Sequence, residues 1–296
     1  MTSVSDRTVN LPIWRVKFFE DLKRSVQLEG KKVLEIGCGD GAIAKLVARQ
    51  TNPQFVYGID PYSYAIYPIY EEEKLMCLNL NADNLLFPNS YFDVIFSHNV
   101  FEHILDLPQA WQEIKRVLKP GGIFYTHFAP LWTHAYGHHY YDETDESFSC
   151  IIPPYGHLYM KPEQINQLLK ANTTLPEDQK KAIRFIFGDV CNKMFPSEYR
   201  KVFLSNDDFK IEEYLEIKQH HHNRPIPQEV FEKYPSVPKE DFEISGITVK
   251  GVKLSQTEPE SESLKELYRF YAYYTESQNK KLLRRLSIKL KSIFSG

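Results

Sequence analysis

Residues 32–42 read Lys32-Val33-Leu34-Glu35-Ile36-Gly37-Cys38-Gly39-Asp40-Gly41-Ala42. Five residues, apolar except for Lys32 and Glu35, run into a cluster of glycines, and apolar positions resume at Ile43, Leu46 and Val47. A short apolar run that ends on glycine is the pattern of a buried parallel strand, and the spacing beyond it is that of a helix. Through Gly37-x-Gly39 the chain turns sharply and lets a ligand approach backbone that a Cβ would block. Taken alone, Gly37-x-Gly39-x-x-Ala42 also satisfies the fingerprint in which a helix N-terminus receives a pyrophosphate. Glu35 weighs against that reading, because a carboxylate just before the turn faces a cationic ligand better than a diphosphate.

Outward from this stretch the pattern alternates. Residues 55–60 form a second apolar run ending in Asp60, and residues 92–97 form a later one. Residues 107–118 have helical spacing and stop at Lys119-Pro120-Gly121-Gly122, after which 123–128 read as the next strand. Strands alternating with helices predict a parallel sheet covered on both faces. Residues 209–217 and 244–254 partly alternate and are expected to be the last two strands, with a Pro-rich loop over 222–241 between them. Ahead of the core, residues 11–28 place Ile13, Trp14, Phe18, Phe19 and Leu22 on one helical face, a helix that packs on the sheet or covers a ligand. The expected organisation is a helical cap over 1–30, a core over 31–130, an irregular lid or acceptor-binding insertion over 131–205, the last strands over 206–256 and a helical tail over 257–296.

Bulk properties remove several function classes. Lys and Arg number 36 against 39 Asp and Glu, a net charge of −3, so no overall basic field draws nucleic acid in. The four cysteines, Cys38, Cys77, Cys150 and Cys191, are far apart with no CxxC pair, so no disulfide framework or zinc motif is expected and a reducing cytoplasm fits. No segment approaches the roughly 20 apolar residues of a membrane span, and the first ten residues lack an apolar signal core. In the tail, Leu282, Leu283, Leu286, Leu290 and Ile293 share a face amid Lys and Arg. Such a helix either docks its leucines on the domain or lies on an anionic membrane surface as a peripheral contact.

Six stretches occur together in one order: 33–41, 57–60 (Tyr-Gly-Ile-Asp), 81–87 (Asn-Ala-Asp-Asn-Leu-Leu-Phe), 92–95 (Phe-Asp-Val-Ile), 102–104 (Glu-His-Ile) and 116–122 (Arg-Val-Leu-Lys-Pro-Gly-Gly). In these the sequence resembles the class I S-adenosylmethionine-dependent methyltransferases, in the branch with a generic small methyltransferase domain. The resemblance is specific over 31–128 and thin beyond. It implies an α/β fold, a Rossmann-like, seven-stranded, mostly parallel sheet, with S-adenosylmethionine as cofactor. By the same resemblance Glu35, Gly37, Cys38 and Gly39 hold the methionine and ribose portions, Asp60 binds the ribose hydroxyls, Asn81 and Ala82 hold adenine, and Ser97 contacts cofactor or substrate. Asn81 departs from the Asp most often found there, and its side-chain carbonyl still accepts from the adenine amine. For Asp60 the role has independent sense, since two vicinal hydroxyls match one bidentate acceptor.

A sulfonium-activated methyl group leaves the protein to align an acceptor and manage one proton, for which histidine is the usual base. His103 is one candidate, with a structural role at a helix start as the alternative. The other candidates, His138 and His139, lie in a ring-rich insertion with His157. These imidazoles would act as base, as substrate clamp, as metal ligands with Asp142, Glu143, Asp145 and Glu146, or only as loop hydrogen-bond partners; no metal is assigned. His220-His221-His222 reads as a solvated loop. The expected activity is O-methylation of a small molecule or saccharide precursor with histidine-assisted proton removal. A non-catalytic cofactor-binding scaffold and a protein or RNA methyltransferase are the alternatives.

Overall fold

The computed structural model describes residues 11–62, 74–140, 151–172, 176–205, 207–218 and 225–254. In chain order the elements are α1 (Ile13–Ser25), β1 (Lys32–Ile36), α2 (Ala42–Gln50), β2 (Phe55–Ile59), β3 (Leu75–Leu78), β4 (Phe92–His98), α3 (Leu107–Val117), β5 (Leu118–Phe128), α4 (Gly156–Tyr159), α5 (Pro162–Asn172), α6 (Pro176–Phe187), α7 (Pro196–Leu204), β6 (Phe209–Lys218), α8 (Gln228–Lys233) and β7 (Ile244–Lys253). The strands form one sheet in the order β3-β2-β1-β4-β5-β7-β6. β1 pairs in parallel with β2 and β4, β5 continues the parallel set, and β7 runs antiparallel to both β5 and β6. The α/β class and the seven-stranded, mostly parallel sheet expected from the sequence are both present.

Alternation along the strands divides the core into two layers. On one face Val33, Val56, Val94 and Phe96 meet Phe18, Phe19 and Leu22 of α1 and Ile43, Ala44 and Val47 of α2. On the other, Leu34, Tyr57, Ile95 and Phe124 meet Leu107, Trp111, Ile114 and Val117 of α3 and Tyr199 and Phe203 of α7. α3 begins at a side-chain cap, Asp106 accepting from the Gln109 N–H at 3.0 Å, with proline in its first turn. Several recognisable motif residues hold the frame. Arg116 donates to the Leu85 and Phe87 carbonyls and to Glu113, while Asp93 accepts from the Lys32 N–H and from Lys119. Farther along, the Arg200 guanidinium bridges Glu216 and the fully buried Asp241, tying α7 to β6 and to the 3-10 turn Lys239–Glu243.

Several expectations are corrected. The insertion over 131–205 is not irregular; it carries α4, α5, α6 and α7. In α5 the fully buried face is Ile165 and Leu169 and in α6 it is Ala182 and Ile186, each pair one turn apart and too narrow a stripe to stand out beside the ring-rich stretch before them. The strand expected to start at residue 123 starts at Leu118, which pairs with Phe92 ahead of a register shift, so the Lys-Pro-Gly-Gly segment lies within β5. The loop expected over 222–241 contains α8. β3, four apolar residues, was too short for periodicity to reveal. The tail over 257–296, the histidines 220–222 and the acidic residues 142–146 lie outside the described residues.

Trp111 is buried against Phe124, Phe203 and Phe209, with ring centroids 4.9–5.1 Å away. Trp111→Ala is expected to cost about 3–5 kcal/mol in a denaturant unfolding titration, because the rigid rings around it cannot collapse into the gap.

Candidate active site

Backbone ties place the glycine loop above the C-terminal ends of β1 and β2. The N–H groups of Gly37 and Cys38 both donate to the Ile59 carbonyl, at 2.8 and 2.9 Å. Gly39 N–H donates to Asp60 Oδ2 and Tyr62 N–H to Asp60 Oδ1, each at 3.0 Å. These bonds fix the Asp60 side chain and leave it further acceptor capacity, since an ionised carboxylate has about four lone-pair sites. Gly37 lies at φ +71, where an added Cβ would be 2.1 Å from a Val100 methyl. Gly39 lies at φ +53, and a Cβ there would meet no atom within 4 Å, so glycine keeps the space over the loop open. The Cys38 sulfur packs beside Cys77 over Gly58, which has no room for a side chain. The hydrogen bond shared with Cys77 and burial both push the Cys38 thiol up.

A cavity of about 750 Å³ opens over this loop. Glu35, Gly37, Cys38, Gly39, Asp60, Asn81 and Ala82 all line it, so seven of the eight expected cofactor residues are brought together. The eighth, Ser97, is fully buried and does not reach the cavity; it lies inside the sheet, beside Ile36 and Thr126. Burial pushes the Glu35 carboxyl well above its ordinary range, and its Oε2 makes no hydrogen bond among the described residues. A buried, unsatisfied carboxylate oxygen at a cavity wall fits a cationic group of a ligand.

Helix α1 forms part of the wall, which the sequence left open. Arg15 Nη1 reaches both oxygens of Asp40 at 2.7–2.8 Å. The Trp14 ring tilts against His98 at 5.3 Å, and His98 stacks on Phe18 at 4.1 Å. Burial pushes His98 down to about 3, so it is neutral at physiological pH.

At the other side stands His103, with Ile104, Leu105, Phe185 and Val190. A carbonyl only accepts, so His103 Nδ1–H donates to Val190 O at 2.7 Å, which leaves Nε2 unprotonated. Burial lowers the His103 pKa and the Val190 bond works in the opposite sense. Nε2 lies 4.0 Å from Glu102 Oε1. The Glu102 carboxyl is fully buried, is pushed well above its ordinary range by that burial, and has neither oxygen hydrogen-bonded among the described residues.

His138 and His139 do not line the cavity, contrary to the expected trio of imidazoles over the acceptor. The loop after β5 folds back on itself, with Gly137 packed so closely that a Cβ would lie 2.4 Å from the Leu131 and Trp132 carbonyl oxygens. His139, at φ +54, turns inward and its Nε2–H donates to Pro130 O at 2.8 Å. Its ring stands edge-on to His103, 4.8 Å away. His138 instead meets His157 at 5.4 Å. Burial holds His138 at about 4 and His139 at about 3, and it pushes His157 well below the ordinary imidazole range. The sequence offered a helix over 11–28 as a possible cover without singling out Arg15, and it gave no sign of Val190 or Cys191 near the site, because their docking only the fold reveals.

Residues 34–126 match the methyltransferase domain family. Sterol 24-C-methyltransferase of Aspergillus fumigatus is 35% identical over 103 residues, 32% of this chain and 27% of that protein. Fatty-acid O-methyltransferase of Mycolicibacterium smegmatis is 30% identical over 123 residues, 40% of this chain and 45% of that protein. Ubiquinone/menaquinone biosynthesis C-methyltransferase of Ralstonia nicotianae is 31% identical over 111 residues, 35% of this chain and 45% of that protein. The matched part of the chain thus spans less than half the length of each of these relatives. Residues 34–126, which hold the glycine loop and Asp60, are thus a methyltransferase domain of that family.

Gly37→Ala should lower stability by about 1–3 kcal/mol through its left-handed backbone alone, and more through the clash with Val100. Val100→Ala combined with it should recover part of that loss; strictly additive losses in denaturant unfolding of the single and double variants would remove the contact.

Proposed function

We propose that the protein transfers the methyl group of S-adenosylmethionine to an oxygen of a small-molecule acceptor with an apolar body. The observation that carries this reading is the orphaned carboxylate oxygen of Glu35 in one cavity with Asp60 and His103. Bound S-adenosylmethionine supplies a methyl group already activated on a sulfonium. Glu35 and the backbone of Gly37 to Gly39 would hold its methionine and ribose portions, with Glu35 recovering its charge against a cationic group. Asp60, its side chain pinned by two N–H donors, would accept from the ribose hydroxyls. Asn81 and Ala82 would hold the adenine.

The acceptor would lie on the His103 side, where His103 Nε2 takes its proton. Among the three histidines considered from the sequence, His103 is the one lining the cavity. Around it Ile104, Leu105, Phe185 and Val190 are apolar, and the exposed rings of Trp14 and Tyr62 and the side chain of Leu105 sit on the cavity wall. Such a surface suits an acceptor with an apolar body better than a saccharide. The names of the relatives, which include a sterol and a fatty-acid methyltransferase, support the same class.

Asp60→Ala is expected to weaken cofactor binding about tenfold or more, as loss of charge-assisted hydrogen bonds does; unchanged affinity by calorimetry would remove the ribose assignment. His103→Ala should lower turnover by about 10²–10⁴ while the cofactor Kd stays unchanged. Incubating the protein and labelled S-adenosylmethionine with a cell extract should put label in the organic-soluble, low-mass fraction. Label in saccharide would replace the acceptor class, label only in protein or RNA would overturn the small-molecule reading, and no cofactor binding at all would overturn the activity.

A further inference from the structure

Behind the acceptor side of the cavity the fold gathers three chemically matched groups from distant segments. His103 follows β4, His139 lies in the loop after β5, and Cys191 follows α6. One ligand atom from each lies within 4.8 Å of the others; His103 Nδ1 is 3.8 Å from Cys191 Sγ, so ligation through that nitrogen would take the place of its hydrogen bond to Val190 O. Two imidazoles and a thiol are the borderline-soft donor set that zinc and its neighbours in the first transition row take up. In a tetrahedral zinc site with bonds of about 2.0–2.3 Å, ligand atoms stand about 3.3–3.7 Å apart, so closing this set on an ion needs side-chain shifts of about 1 Å.

The cluster is built rather than a chance meeting of surface groups. Asn192, next to Cys191, donates its backbone N–H to the Glu102 carbonyl at 2.8 Å and its side-chain amide to the Phe101 and Ile104 carbonyls at 2.7 and 3.1 Å. Those three bonds fix Cys191 against the segment that carries His103. The Pro130 carbonyl selects the His139 tautomer with Nδ1 unprotonated, the outer-sphere arrangement that orients histidine ligands. Independently of these three residues, Glu102 is fully buried with both carboxyl oxygens unsatisfied, one of them 4.0 Å from His103 Nε2. A buried carboxyl with neither oxygen hydrogen-bonded among the described residues is costly, whereas beside a dication held by one thiolate it supplies the charge that brings the group to neutrality.

We propose that His103, His139 and Cys191 bind a divalent transition-metal ion, zinc by chemistry, with Glu102 as the compensating carboxyl. His103 lines the cavity, so an ion there would stand at the acceptor side, where it would lower the pKa of an acceptor hydroxyl coordinated to it and the proton would leave to solvent. This last role rests on the methyl-transfer reading and reassigns His103 from direct base to ligand; ion binding itself does not rest on it.

The test is titration of purified, chelator-treated full-length protein with Zn²⁺ by calorimetry and with Co²⁺ by absorption. The expected result is one ion per chain and a thiolate-to-cobalt charge-transfer band. Cys191→Ser should abolish that band, and Cys191→Ser and His139→Ala should each weaken Zn²⁺ uptake more than the about 10–100-fold that loss of an outer-sphere partner costs. Glu102→Gln should fall within that outer-sphere range. A wild-type protein that shows no charge-transfer band overturns the site even if the variants fail to fold, and so does Zn²⁺ uptake unchanged in both ligand variants. Methyl transfer by metal-free protein that takes up no Zn²⁺ would discard the metal and keep the base, while Zn²⁺ uptake without methyl transfer would do the reverse.

Discussion

The Ile59 carbonyl, receiving the N–H groups of both Gly37 and Cys38, is the contact on which the candidate site depends. It couples the turn leaving β1 to the end of β2 and so sets the glycine loop and Asp60 in a fixed relation, which the Gly39 bond to Asp60 then completes. The five-residue parallel register between β1 and β2 is buried on both faces and does not slip without moving apolar residues into the wrong layer. Geometry at the cavity floor is thereby inherited from the core, and no side chain at the floor has to be held by solvent-exposed contacts alone.

The layers around that floor have different jobs. Arg116, Asp93 and Lys119 fall within recognisable motifs, yet their bonds run to strand ends and turn carbonyls and hold the frame together. Glu35, Asp60 and His103 face the cavity. The insertion brings Phe185 and Val190 to the cavity wall and Cys191 beside His103, and these residues lie beyond the 34–126 stretch shared with the methyltransferase domain family. The family-matched part therefore supplies the glycine loop and Asp60, and residues beyond it supply Phe185 and Val190 of the same cavity wall.

Much of this was legible in the residues. Apolar runs ending in glycine or aspartate gave β1 and β2, and seven of eight cofactor candidates do line one cavity, because strand-end positions are set by local pattern. Ser97 fails for a reason of the same kind: alternation in β4 turns it into the sheet, and a position at a strand tip does not fix the face. His138 and His139 were placed by composition, which says nothing of direction; a left-handed residue and a tightly packed Gly137 turn them away. In α5 and α6 the fully buried stripe is only Ile165 with Leu169 and Ala182 with Ile186, a narrower signal than the rings and prolines of 131–160 that make the insertion read as irregular. Cys191 carried no local signal whatever, since its meaning lies in two partners 88 and 52 residues distant along the chain.

Helix α1 stands on both sides of the ledger of order and motion. Its middle packs Phe18, Phe19 and Leu22 into the sheet, while its first turn brings Trp14 and Arg15 to the cavity wall. That turn has no side-chain cap, and Ile13 and Trp14 on it are exposed. Uncapped first turns are where helices fray, and fraying here would give up the Arg15–Asp40 pair, the Trp14–His98 contact and the Arg15 and Val16 N–H bonds to Pro12 O while leaving the packed turns in place. Trp14 and Arg15 thus meet the cavity from the least anchored turn of the helix, so a ligand that packs on them would order wall and helix end together.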